Sequence, residues 1–306
     1  MKPDIIIVTG PTGIGKTAVA VELARKLETE IISADSMQVY RHLSIGTGKP
    51  TLEELGGVTC HLVDCVEPDY QYNLGDFIRA ADEIIARLTQ AGQIPIVCGG
   101  TGLYLRGLVN GVFSNAGKSD QIRSQLESRA NSEGLGELYR ELMRVDPGAK
   151  HIMPNDRQRI LRALEVYYAT GQPITALQKQ SQESPRYQAA TFLLQRSRKD
   201  LYARIDRRVD EMIAKGLLSE IRTYLDSGFS RDNPAFCALG YAEMADHLSG
   251  LLSLEDAANR MKQRSRNYAK RQLTWFKAMK GAETLNMDNL SAERAAEQIC
   301  RTFEGR

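Results

Sequence analysis

Apolar and polar positions alternate in blocks through the N-terminal third of the chain. Asp4 to Val8 is an almost unbroken apolar run that predicts a buried strand, followed by a glycine loop and a helix from Thr17 to about Leu27. Glu30 to Ser33 predicts a second short strand that ends at Ala34-Asp35-Ser36. His61 to Asp64 predicts a third, with a helix after it through Phe77 to Leu88. Ile94 to Cys98 is a fourth, and it runs directly into Gly99-Gly100-Thr101-Gly102. This alternation predicts an α/β fold, a mostly parallel sheet flanked by helices on both faces. Ligands of such sheets bind at the carboxyl ends of the strands, so the residues just after each strand are the first candidates for chemistry.

The pattern changes from about Asn115 to Tyr187, where apolar residues recur at helical spacing, as in Ile160, Leu161, Leu164 and Val166 to Tyr168. Asp146-Pro147-Gly148 and Gly171-Gln172-Pro173 are turn signals between these helices. Ala189 to Leu194 then predicts a strand returning to the sheet, helices resume from Asp200 to about Asp226, and Thr284 to Met287 is a last short strand. The expected organisation is a core begun over residues 1–114, a helical insertion domain over 115–187, and completion of the core over 188–306.

Composition narrows the class. With 306 residues, 42% of them hydrophobic, the chain can bury a large core without staples. Its five cysteines are odd in number and include no C-x-x-C pair, so neither a disulfide framework nor a zinc site is expected, and the adjacent Cys60 and His61 read as ordinary packing. The strongly apolar runs are too short to span a bilayer. The glycine loop begins within ten residues of the N-terminus, so no signal peptide is expected, and the location expected is cytoplasmic. No membrane association and no obligate protein partner are expected. A net charge of +2 decides nothing alone, since the distribution of charge matters more than its sum.

The first chemistry is in the loop after the first strand. Gly10-Pro11-Thr12-Gly13-Ile14-Gly15-Lys16-Thr17 fits G-x-x-x-x-G-K-[ST] and lies between an apolar run and an amphipathic helix, as a phosphate loop requires. Backbone N–H groups and the following helix N-terminus face phosphate oxygens, Lys16 adds a point charge, and the Thr17 hydroxyl is placed for Mg²⁺. Asp35, after the second strand, is placed to ligate metal or to take a proton from a nucleophile, the alternative being an N-cap for the next helix. Thr101, after two consecutive glycines, either bonds a phosphate oxygen or belongs to a simple tight turn.

Seven blocks together resemble the tRNA dimethylallyltransferase (tRNA isopentenyltransferase) family. They are GPTGIGKT at 10–17, SADSMQVYRHLSIGTGKPT at 33–51, CGGTGLYLRGL at 98–108, NDRQRILRALEVYYATGQPI at 155–174, DLYARIDRRVDEMIAKGLLSEI at 200–221, ALGYAEM at 238–244 and YAKRQLTWFK at 268–277. Val112-Phe113-Ser114-Asn115-Ala116 stands where the family usually has a proline-containing stretch, and Met153 where it usually has a histidine.

The resemblance implies a P-loop NTPase-like sheet and the transfer of a dimethylallyl group from dimethylallyl diphosphate to N6 of adenosine 37 in the tRNA anticodon stem-loop. Asp35, Thr101 and Lys16 are then the catalytic residues, with Asp35 the candidate base. The diphosphate falls to Gly10, Pro11, Thr12, Gly13, Ile14, Gly15, Lys16, Thr17 and Arg222, and Mg²⁺ to Thr17. The tRNA falls to Asp35, Ser36, Met37, Gln38, Thr101, Arg123, Gln158, Arg159, Ile160, Leu161, Arg162, Lys270 and Arg271.

An RNA substrate should leave an electrostatic footprint. Ala257 to Ala282 holds eight Lys or Arg residues and no acid: Arg260, Lys262, Arg264, Arg266, Lys270, Arg271, Lys277 and Lys280. Tyr268, Trp275 and Phe276 are interleaved, and Trp275 and Phe276 are expected to face the core. Arg157, Arg159 and Arg162 form a smaller basic group. The rivals are a small-molecule kinase, an isopentenyltransferase acting on free adenine nucleotides, and a non-catalytic RNA-binding module. The first two leave the basic segment unexplained.

Overall fold

The computed structural model describes residues 3–111, 119–183, 185–279 and 281–304. The chain divides into two compact units, Met1–Leu108 with Tyr187–Arg306, and Val109–Arg186. The boundary expected between residues 114 and 115, the Val112–Ala116 stretch and Lys280 lie outside the described residues.

The larger unit begins with β1 (Ile5–Thr9), α1 (Lys16–Lys26), β2 (Ile31–Ser33), α2 (Leu52–Leu55), β3 (Cys60–His61), α3 (Leu74–Gln90), β4 (Ile96–Gly99) and α4 (Gly102–Asn110). In the second unit lie α5 (Asp120–Ser132), α6 (Leu135–Val145), α7 (Arg157–Thr170) and α8 (Ile174–Glu183). The first unit resumes with β5 (Ala189–Gln195), α9 (Arg198–Ala214), α10 (Leu217–Asp226), α11 (Tyr241–Leu248), α12 (Leu254–Lys277), β6 (Glu283–Asn286) and α13 (Ala292–Glu304).

The six strands form one parallel sheet in the order β3-β2-β4-β1-β5-β6. Ile5 to Val8 are wholly buried at its centre, which explains an apolar run without alternation. Because β2, β4 and β1 are neighbours, the loops that leave them emerge side by side. The third strand is shorter than His61–Asp64. Leu62 and Asp64 take φ of 60° and 53°, which no strand accommodates, so pairing ends at His61. The helices expected from Asp200 to about Asp226 are α9 and α10, separated at Gly216, whose φ of 99° suits glycine.

Beside the main core, a second apolar cluster joins Val39, Tyr40 and Leu43 to Val209, Met212, Ile221, Tyr224, Tyr241 and Met261. It anchors the long segment after β2 against α9 to α12. In the second unit, α5, α6 and α7 pack around Leu126, Leu138, Leu142, Ile160, Leu161 and Leu164. Among the described residues no helix is long and apolar enough to cross a membrane.

Candidate active site

The three loops after β1, β2 and β4 meet at a cavity of about 610 Å³. Thr12, Gly13, Gly15, Lys16 and Thr17 line it from the phosphate loop, Asp35 and Gln38 from the segment after β2, and Cys98 and Gly99 from the end of β4. Gly15, with φ 102°, precedes the first residue of α1 and turns the helix N-terminus toward this space. Lys16 Nζ donates to the Pro11 carbonyl at 3.0 Å. Burial pushes the Lys16 ammonium below its ordinary pKa, against the raising effects of Cys98 and Asp35, while Arg208 lowers it further.

Asp35 borders the cavity, and no helix directly follows it to be capped. Its Oδ1 accepts from the backbone N–H groups of Met37 at 2.9 Å and Gln38 at 3.4 Å, closing a turn where a helix had been the alternative. Thr101 Oγ1 accepts from Ser36 N–H at 3.1 Å, and Thr101 N–H donates to the Ala34 carbonyl at 3.2 Å. Thr101 therefore fixes the Asp35–Ser36 turn, while the cavity walls are formed by other side chains. Gln38 has its own supports: Ser33 Oγ donates to its Oε1 at 3.1 Å, and its Nε2 donates to the Gly48 carbonyl at 3.1 Å.

The arginine expected at the diphosphate requires correction. Arg222 is exposed on α10, one residue past Ile221, whose side chain faces the core, and it lies outside the cavity walls. Arg204, Arg207 and Arg208 of α9 line the cavity instead, with Lys215. Arg204 Nε donates to the Gly13 carbonyl at 3.1 Å and Arg208 Nη2 to the Gly48 carbonyl at 3.4 Å. Positions 204 and 208 are one helical turn apart, a spacing already present in the DLYARIDRR block. Burial pushes the Arg208 pKa down, and the charge of Asp35 opposes this.

A second cavity of about 340 Å³ shares Thr12, Asp35, Thr47, Arg208 and Tyr268 with the first. Ile205, Val209, Met212, Leu239 and Met261 make much of its wall apolar. Tyr268 reaches both cavities, and burial together with the Asp35 charge pushes its hydroxyl up to about 12.

A phosphate loop, a positioned carboxylate and three arginines are common to several families that act on phosphate compounds. The family model described as IPP transferase matches residues 38–279, and one described as Isopentenyl transferase matches residues 3–65. The chain belongs to the IPP transferase family. It is similar to the tRNA dimethylallyltransferase of Syntrophobacter fumaroxidans, 49% identical over 90% of this chain and 81% of the relative. It is 41% identical to the tRNA dimethylallyltransferase of Pelotomaculum thermopropionicum over 99% of this chain and 98% of the relative. The crystal structure of a eukaryotic dimethylallyltransferase acting on tRNA superposes with a TM-score of 0.85 at 31% identity, covering 99% of this chain and 80% of the other. The parallel sheet is the P-loop NTPase-like sheet of these IPP transferase relatives.

The remaining residues expected to meet RNA fall into two groups in this member of the family. In the second unit, Ile160 and Leu161 are 0% and 1% exposed and form its core, so their side chains are not offered to a partner. Gln158 and Arg159 are exposed on the same helix. Arg162 and Arg123 lean on the buried Glu165 at 3.1 and 3.9 Å, with Arg123 also bonded to Glu127 at 2.9 Å.

On α12 the buried stripe is Ala257, Met261, Ser265, Ala269, Gln272 and Phe276. Phe276 is 1% exposed, in line with the expectation, while Trp275 is half-buried under the Arg106 guanidinium, 5.0 Å from its ring centre. The basic face is less open than its sequence suggests. Lys262 pairs with Asp210 at 2.6 Å, Arg266 with Asp206 at 2.5 Å, and Arg264 with Glu243. Lys270 and Arg271 are exposed and have no acidic partner among the described residues.

Proposed function

We propose that the protein transfers the dimethylallyl group of dimethylallyl diphosphate to N6 of adenosine 37 in the anticodon loop of tRNA and releases diphosphate. The observation that carries this reading is the cavity at which three neighbouring strand ends meet, with Lys16 and Arg208 on its walls beside Asp35 and Gln38. The cations and the N–H groups of the phosphate loop suit a diphosphate, and Asp35 suits a proton acceptor.

The exocyclic amine of adenine is a weak nucleophile because its lone pair is delocalised into the ring. As nitrogen bonds to the allylic carbon, the carbon–oxygen bond breaks and its electrons leave with the diphosphate. The proton displaced from N6 goes to the Asp35 carboxylate. Charge builds on the leaving oxygens, where Lys16, Arg208 and the loop N–H groups are placed to meet it, and one such donor is typically worth about 10²- to 10³-fold in rate. The target base must leave its stack to reach the cavity. Gln38, with one donor and one acceptor, suits the reading of a base edge.

Mg²⁺ belongs to the same proposal. Thr17 lines the cavity beside Lys16, and among the described residues no group of three or more His, Cys, Asp or Glu side chains is gathered to hold a metal. That donor set fits Mg²⁺, which keeps several waters and binds chiefly through substrate phosphates. Thr17 is the residue that would hold it, and the bound ion would supply counter-charge to the diphosphate.

The test incubates the protein with unmodified tRNA, dimethylallyl diphosphate and Mg²⁺, then digests the tRNA for nucleoside mass spectrometry. An isopentenyl-bearing adenosine, absent without the diphosphate, is the expected result. Unmodified tRNA, with ATP consumed on a small hydroxyl acceptor in a parallel sample, would replace this reading with a kinase.

A further inference from the structure

Two loops of the site are joined by one side chain from a distant helix. Gln272 Oε1 accepts from the Thr12 N–H of the phosphate loop at 2.8 Å, and Gln272 Nε2 donates to the Gly100 carbonyl at 2.9 Å. The residue is 6% exposed on the buried stripe of α12, so it is withheld from any RNA docked on that helix's exposed face. Gly100 leads directly to Thr101, whose Oγ1 holds Ser36 beside Asp35. A short chain of contacts thus runs from the phosphate loop through Gln272 and Gly100 to the turn that carries Asp35.

The fit is close. A Cβ on Gly100 would lie 2.6 Å from Gln272 Nε2 and 3.4 Å from Lys16 Nζ. The neighbouring stripe positions Met261, Ala269 and Phe276 are apolar, and an apolar residue at 272 would satisfy the same burial. Two hydrogen bonds roughly offset the cost of desolvating the amide, but an apolar residue would leave the Thr12 N–H and the Gly100 carbonyl without these partners, so the burial of α12 alone does not account for glutamine there. A planar carboxamide, with acceptor and donor at a fixed separation, instead sets the spacing of the two loops it joins.

We propose that Gln272 is a positioning residue: it fixes the phosphate loop relative to the Gly100–Thr101 loop, and with it the distance from the donor's reacting carbon to the acceptor nitrogen. The inference rests on the transfer reaction proposed above. A displacement on the scale of 1 Å between reactants costs roughly 10²-fold in rate.

The test compares wild type with Gln272→Met, which keeps the volume and loses both hydrogen bonds. Assays run well below each melting temperature, and kcat is separated from the KM values of donor and tRNA. The expected result is a fall in kcat of about 100-fold with the KM for tRNA changed by less than about threefold. A kcat within about twofold of wild type, with only a lowered melting temperature, would show a structural role and overturn the inference.

Gln272→Glu supplies a second readout, needed most where the methionine variant does not fold. The introduced carboxylate still accepts from Thr12 N–H but faces the Gly100 carbonyl without a proton. Protonating it restores an O–H donor. Lys16, Arg208, Asp35 and Tyr268 face the same cavity as position 272, so the pH at which the carboxylate takes its proton is set among them. The kcat of this variant should fall well below wild type at pH 8 and recover toward acid, and a kcat equal to wild type at pH 8 would also overturn the spacer. A wild-type protein that makes no prenylated adenosine would sink the transfer reading and the spacer with it. An active wild type with unaffected variants sinks the spacer alone.

Discussion

The Tyr241 hydroxyl donates to Glu220 Oε1 at 2.6 Å, and the same carboxylate accepts three consecutive backbone N–H groups, Ser44 and Ile45 at 2.7 Å and Gly46 at 3.1 Å. Successive N–H groups form an anion-binding concavity, and here the protein's own anion fills it. The loop so held presents the Gly48 carbonyl, which accepts from both Gln38 Nε2 and Arg208 Nη2. A carboxylate on α10 thereby sets the position of two cavity-lining side chains.

Glu220→Ala leaves those three N–H groups without their acceptor. It is expected to destabilise the fold by about 2–3 kcal/mol in denaturant titrations, and to lower kcat/KM by roughly tenfold. Tyr241→Phe removes one bond of the four and should cost about 1 kcal/mol, with little kinetic effect. Burial, and the Glu220 charge after it, push the Tyr241 pKa up, so its hydroxyl remains a donor across the working pH range.

Lys16 carries its charge where burial disfavours it. Its pKa is lowered on folding, so the half-buried ammonium costs stability at neutral pH, and that cost fades as pH rises through the lowered value. Lys16→Met should therefore raise the melting temperature of the ligand-free protein at pH 7, with the gain shrinking toward alkaline pH. The same substitution should cut kcat/KM for the donor by about 10²- to 10³-fold. Thermal melts across pH, beside donor titrations, check both halves.

Salt dependence separates the basic residues of α12. Lys270→Ala and Arg271→Ala should each reduce the slope of log K against log salt for tRNA binding by about 1. Lys262→Ala should leave the slope nearly unchanged, because Lys262 is already neutralised by Asp210. Slopes equal to wild type for Lys270→Ala and Arg271→Ala would mean that RNA does not dock on this face.

At the far edge of the sheet, Glu30 accepts from Arg87 and sits 2.5 Å from His61 Nε2. The hydrogen bond from Arg87 is the main cause holding its carboxyl below the ordinary value of 4.5, with His61 adding to it and burial opposing. A depressed carboxylate contributes stability that is present above 4.5 and is lost as pH falls through the folded value. Glu30→Gln should melt a few degrees, roughly 2–4 °C, below wild type at pH 7, with the gap closing in acid. Turnover per folded molecule should not change.

Much of the site was readable because it is local. A phosphate loop is eight contiguous residues whose glycines and flanking periods declare the conformation, and Asp35 and Thr101 follow strands recognisable from their apolar runs. The third strand was misjudged by its end, since nothing in the order of residues announces a left-handed backbone at Leu62 and Asp64. The family resemblance places Ile160 and Leu161 with exposed neighbours at the RNA, because a contiguous block says nothing of which way each side chain turns, and both side chains are buried.

The sequence by itself determined the α/β architecture, the phosphate loop and the carboxylate beside it, since each depends on residues a few positions apart. Tertiary structure alone decided that α9 rather than Arg222 supplies the cavity's arginines, and that three cations of α12 are spent on acids of α9 and α11. It also brought Gln272 to Thr12 across 260 positions and Glu220 to Ser44 across 176. The physical reason is the same in each case. A helix's period shows which residues share a face, but only its packing partners decide which face turns inward and what it finds there.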